Sequence, residues 1–271
     1  MKINDLAQIF NRSFQRVFDI QKFFPIFIAL IFSGLFFLFF QGMAKDISNW
    51  LKLLVLCLPF FVMVALVMTA GAMTTKVYAQ QREEKVISMK EILFSSRKQI
   101  QRASYCALIL FSSFLASWIL LGIFISIKSI PYLGPFLGVI LAFIPFLLNL
   151  CILLLFFAAL LVLFFCTPLI TFEEKVNKET IKARLQTDLF THLLFIIIAS
   201  LPLWIVWMFV YKALLLTFSV YSFGDYDVEK VLQSLFILIP FSAVLTFPLI
   251  FFFNLAQEAY LNWTLAIGKP I

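Results

Sequence analysis

Apolar runs of membrane-spanning length follow one another along this chain, separated by short polar stretches in which basic residues predominate. The runs are continuous. Strands of a membrane barrel would instead alternate apolar and polar positions over about ten residues, so the pattern predicts helices. A helix needs about twenty apolar residues to cross the hydrocarbon core. Spans are placed at 23–42, 53–73, 103–127, 136–167, 193–218 and 232–256. The expected fold class is an all-α integral membrane protein with six transmembrane helices, residues 1–271 forming one polytopic domain. A cleaved leader is the rival for the first run. The segment ahead of it is long and contains acids, and the run exceeds the roughly 7–15 apolar residues of a leader.

The polar stretches ahead of the odd-numbered spans have a helical period of their own. In 1–22, Leu6, Ile9, Phe10, Val17 and Ile20 fall on one face, with Arg12, Arg16 and Asp19 largely elsewhere. Asn4 is placed to cap this helix. In 74–102, Ser88 and Glu91 have the spacing of a capping box, and Met89, Ile92, Leu93, Ser96 and Ile100 follow the helical period. In 168–191, Asn177 caps a third short helix on which Ile181, Leu185 and Leu189 recur. Amphipathic helices of this kind lie in the membrane interface. The chain then reads as three units, 1–73, 88–167 and 177–256, each an interfacial helix followed by a two-span hairpin. Parallel repeats occur in membrane bundles.

Charge orients the spans. With six of them, the side bearing both termini holds sixteen of the 21 basic residues; the other side holds Lys45, Lys52, Lys128, Lys212 and Lys230. Basic residues accumulate on the cytoplasmic side, so both termini are expected there. The run 136–167 is long: about 46 Å as one helix against a core of about 30 Å. It is one span kinked at Pro145, or two short ones. Splitting it puts more basic residues outside, which favours one span.

Composition agrees. The chain is 63% hydrophobic and 13% charged, with 36 Phe, whereas soluble domains are about half apolar and a quarter charged. The net charge of +7 is assigned to the topology bias, and no nucleic-acid partner is expected. Cys57, Cys106, Cys151 and Cys166 show no CxxC spacing, so neither a metal site nor a disulfide framework is expected. His192 is the only histidine. No nucleophile–base spacing is present, and the expectation is a protein that is not an enzyme and carries no cofactor or metal. The candidate lipid or partner contacts are Arg12, Arg16, Arg97, Lys98, Arg102, Lys182 and Arg184, all at the expected inner surface. The candidate intramembrane polar residues are Asn149, read as held by a neighbouring helix, and Asn254 with Glu258, one turn apart.

Several motifs occur in a set order. Small residues close the second span, and a basic loop leads to Ser88-Met89-Lys90-Glu91-Ile92-Leu93 and the third span. Ile130-Pro131-Tyr132-Leu133-Gly134 makes a turn, and the long fourth span ends at Pro168-Leu169-Ile170 and an acidic residue. This order resembles a broad group of bacterial six-helix membrane proteins, similar to the membrane domain attached to some glycerophosphodiester phosphodiesterases. The resemblance covers most of the chain and implies a bacterial inner membrane. The group has no catalytic residues in its membrane part, and the phosphodiesterase domain is absent here, so no activity carries over. The expected function is to organise membrane lipid, anionic lipid included, or a protein partner or second copy, through a cationic cytoplasmic face. The alternative is a small-solute or lipid transporter. Against it stands the absence of acids and bases deep in any span, with only Lys212 and Glu258 near span ends.

Overall fold

The computed structural model describes residues 3–44, 47, 49–82, 97–128, 130, 143–172, 189–220 and 227–266. The Ser88/Glu91 capping box and the helix begun at Asn177 lie outside the described residues. Those described form helices: α1 (Ile3–Gln15), α2 (Ile20–Met43), α3 (Asn49–Arg82), α4 (Arg97–Lys128), α5 (Phe143–Phe172), α6 (Leu189–Val220) and α7 (Asp227–Ala266). From α2 to α7 each contains a stretch long and apolar enough to cross a membrane. Their outer faces expose large side chains such as Phe32, Ile109, Phe146, Ile197 and Phe209. Apolar surface on that scale suits lipid rather than water. The chain is a multi-pass membrane protein of the expected all-α class.

α3 and α7 form the centre. α3 packs on α2, α4, α5 and α7; α7 packs on α1, α2, α3, α5 and α6. In lipid no hydrophobic gain accrues between helices, so close packing and interhelical bonds must hold them together. Small residues supply the close approach. Ala70, Gly71 and Ala72 are buried on α3, and a side chain at Gly71 would collide with the Phe253 ring of α7. Gly34 of α2 meets Leu238 of α7 in the same way. Rings fill the space between: Phe164 against Phe252 at 5.4 Å in the main core, Phe61 against Phe114 at 5.2 Å between α3 and α4. Hydroxyls add interhelical bonds, Thr75 meeting Thr171 across α3 and α5 at 2.9 Å.

The helix bounds depart from the expected spans at the basic end. α3 runs on to Arg82 and α7 to Ala266, so 74–82 and 257–266 are helix rather than loop. The reason is packing. Thr74, Thr75, Val77 and Tyr78, and every residue of 250–261, are buried against neighbours, which outweighs their polar composition. α5 crosses as one helix over 143–172. Residues 136–142 of the expected span, and with them the test of a kink at Pro145, lie outside the described residues. Asn4 lies inside the first turn of α1, which begins at Ile3, and does not cap it.

One end of the bundle gathers α1, the starts of α2 and α4, and the ends of α3, α5 and α7. Contacts between these segments recur there: Lys22 with Tyr78, Tyr78 with Glu258, Arg102 with Ile170, Phe172 with Tyr260. This is the basic end.

Candidate functional site

The basic end holds a buried polar cluster, and the chain builds it from the end of α1. That helix stops at Gln15, which leaves its last carbonyls without intrahelical partners. Ser13 O accepts from Asn254 Nδ2 of α7 at 3.1 Å. Arg16 O accepts from the same amide at 3.4 Å and from Lys22 Nζ of α2 at 3.3 Å. An ammonium beside a helix C-terminus also opposes its partial negative charge. α1 is thus clamped by α2 and α7, with Ile9, Ser13 and Val17 buried, rather than lying free in the interface.

Asp19 starts the next layer. It is the N-cap of α2, with Oδ1 accepting from Gln21 N at 2.9 Å. Its other oxygen accepts from the Gln81 amide of α3. Asp19 thereby fixes where α2 begins and ties that start to the end of α3. One turn into α2, Lys22 is fully buried. Its Nζ stands 4.7 Å from the centre of the Tyr78 ring, and the Arg16 guanidinium stands 5.0 Å from it. Desolvated cation–π contacts of this kind are each worth about 2 kcal/mol. The Tyr78 hydroxyl donates to Glu258 Oε1 at 2.7 Å, with Tyr78 1% and Glu258 3% exposed.

Two cations, Arg16 and Lys22, therefore lie on one phenol whose hydroxyl binds Glu258, with Asp19 close to Lys22. Charge balance is what makes the burial tolerable, because an unpaired buried charge costs several kcal/mol. Four segments meet here: α1, α2, α3 and α7. Ser13 Oγ, Asn254 Oδ1 and both polar atoms of Gln257 are buried with no hydrogen-bond partner among the described residues. The cluster therefore has unused donor and acceptor capacity inside the bundle. Among the described residues no group of three or more His, Cys, Asp and Glu is placed to hold a metal.

The candidate residues divide. Asn254 and Glu258 are brought into the cluster, with Arg16 turned inward beside them. Arg12 and Lys98 are exposed; Arg12 also bonds its own helix at Gln8 O, 3.4 Å. Arg102 is half-buried, and its Nη1 donates to Ile170 O of α5 at 3.4 Å. The side chain of Arg97, and Lys182 and Arg184 altogether, lie outside the described residues. Asn149 is exposed on α5, apart from the cluster and not held in a helix interface as expected. No acid or base is expected deep in a span; Lys22 and Glu258 lie near the ends of the stretches Ile20–Met43 and Gln233–Asn262, and both are buried there.

Lys22, Tyr78 and Gln81 were not singled out from the sequence as site residues. One signal was available. Asp19 just before the apolar run has the N-cap residue type; reading it as a cap moves Lys22 from the polar segment into the first turn of α2. Tyr78 and Glu258 are 180 positions apart, and no spacing rule connects them.

Comparison of the chain with protein-family models, with curated proteins and with solved structures finds no match.

Proposed function

We propose that this is a non-enzymatic membrane protein of a bacterial inner membrane that gathers anionic lipid at its cytoplasmic, basic end. One observation carries the reading. α1 is held against the bundle yet exposes Phe10 and Phe14, with Phe18 exposed in the turn that follows and Arg12 exposed on the helix itself. Rings that dip into the acyl boundary beside a cation at headgroup level are what an interfacial lipid-binding helix presents. Lys98 is exposed near the start of α4, at the same end. Each such cation near an anionic surface contributes about 1 kcal/mol. Arg16 and Arg102 are engaged inside the bundle and drop out of the lipid-facing set.

The test is the triple substitution Arg12→Gln, Arg97→Gln, Lys98→Gln in the full-length protein, purified from nanodiscs of mixed anionic and zwitterionic lipid. Native mass spectrometry should show anionic-lipid retention reduced several-fold, with an unchanged unfolding temperature. Equal retention in parent and variant would remove the proposal.

Orientation is tested separately. On a cysteine-free background, Lys98→Cys should react with an impermeant maleimide only from the cytoplasmic side and Lys212→Cys only from the outside. The reverse pattern would invert the topology.

A second reading, a small-solute or lipid transporter, is favoured by the burial of Lys22 and Glu258 within spans, because intramembrane ionisable groups commonly mark transport pathways. Uptake by proteoliposomes that disappears in Glu258→Gln while the protein stays folded would select it over lipid gathering.

A further inference from the structure

Arg102 sets the register of two helices. Its bond to Ile170 O, at 3.4 Å, places these residues opposite each other on antiparallel α4 and α5. One turn along α4 from Arg102 stands Cys106, and one turn back along α5 from Ile170 stands Cys166. The two therefore face each other across the α4–α5 contact. Both pack in one cluster with Met68, Ala72, Ala103 and Ile170. Ala103 and Ala107, both buried, flank Cys106 and keep its backbone close to its neighbours. Cys166 is buried, Cys106 half-buried, and Cys151 exposed elsewhere on α5.

We propose that Cys106 and Cys166 form a redox pair that closes to a disulfide under peroxide and staples α4 to α5 at the basic end. Hydrogen peroxide is small and uncharged, so it can enter an apolar bundle that excludes charged oxidants. Cys106 is the more accessible thiol and reacts first. Its sulfur, giving up the proton, attacks one peroxide oxygen; the O–O bond breaks, water leaves and a sulfenic acid remains. The Cys166 sulfur then attacks the Cys106 sulfur. The S–O bond breaks, the S–S bond forms, and a second water carries off the hydroxyl and the Cys166 proton. Two thiols are oxidised by two electrons and one peroxide is reduced to two waters. α4 packs chiefly on α3 and α5, so the bond removes its freedom to part from α5. A separation of 60 positions between the two cysteines hides the pair from any spacing rule.

The experiment uses the full-length protein in lipid nanodiscs, treated with hydrogen peroxide, then denatured, alkylated, digested and mapped by mass spectrometry. A Cys106–Cys166 linked peptide is expected, together with a rise of about 5 °C or more in the unfolding midpoint. A dithiol reductant should reverse both, and Cys106→Ser should show neither. Recovery of the two cysteines as free thiols or as sulfinic acids would overturn the proposal, as would linkage of Cys106 to Cys57 or Cys151. Should the serine variant fail to fold, the linkage map of the parent decides alone.

Discussion

Glu258→Ala is expected to destabilise the bundle by about 3–5 kcal/mol, which is roughly a 10 °C drop in unfolding midpoint. Three losses coincide. The Tyr78 hydroxyl loses its acceptor at 2.7 Å and is left buried without one, a cost of about 1–3 kcal/mol by itself. Arg16 and Lys22, both packed on the Tyr78 ring, lose the negative charge that Glu258 holds at that ring's hydroxyl. The truncation also leaves a cavity in a region where every residue from 250 to 261 is buried. Glu258→Gln keeps the shape and an acceptor, so it should cost less than half as much. Tyr78→Phe combined with Glu258→Ala should cost less than the two singles together, because both remove the same bond. Thermal unfolding of the parent and these four variants in one detergent checks the order. Additive losses would mean that the phenol–carboxylate bond contributes nothing.

The same cluster offers a charge-balance test. Lys22→Met added to Glu258→Ala removes a buried cation along with the buried anion and keeps most of the lysine volume. Replacing buried charges in pairs is far less damaging than removing one. The double variant should therefore be more stable than Glu258→Ala alone. A double variant less stable than that single would show that Lys22 acts through its bond to Arg16 O, holding α1, more than through charge.

These residues mark where sequence reading reaches its limit. The six apolar helices were readable because lipid imposes one condition on every residue of a span, and runs such as 193–218 meet it without help from elsewhere. The ends of α3 and α7 were not. Thr74, Tyr78, Gln81, Gln257 and Glu258 look like solvated inner-loop residues until partners from other helices are supplied. Their burial is a property of the pairing, not of the local run. Arg16 and Arg102 show the same limit from the other side. Each has the spacing of a headgroup contact, yet one turns to a ring on α3 and the other to a carbonyl on α5. The pattern identified Asn254 and Glu258 as one polar edge, because that relation is local to a single helix turn.

Gly71→Leu is expected to abolish the folded bundle, and the contrast with two other glycines shows why. A Cβ at Gly71 would run into Cδ1, Cε1 and Cζ of Phe253. That ring is wholly buried and meets Phe252 at 5.5 Å; Phe252 in turn meets Phe164 at 5.4 Å. Phe253 therefore cannot swing aside without moving the aromatic stack that joins α3, α5 and α7. Overpacking a tight core costs about 1–3 kcal/mol and sometimes more. A leucine adds three further carbons where the first already collides, and in lipid no hydrophobic gain between helices offsets the lost contacts. Gly34 faces the end of the Leu238 side chain, which is flexible and only half-buried, so Gly34→Ala should be mildly destabilising. A Cβ at Gly42 would meet nothing within 4 Å, so Gly42→Ala should be neutral or gain up to about 1 kcal/mol from helix propensity. Monodispersity on size exclusion and the unfolding midpoint should rank the alanine variants Gly42, Gly34, Gly71 from most to least stable. Phe253→Leu should partly rescue Gly71→Ala by vacating the ring. If Gly71→Leu yields monodisperse protein that unfolds with the parent, α3 and α7 do not cross at Gly71, and the central helix pair must be redrawn.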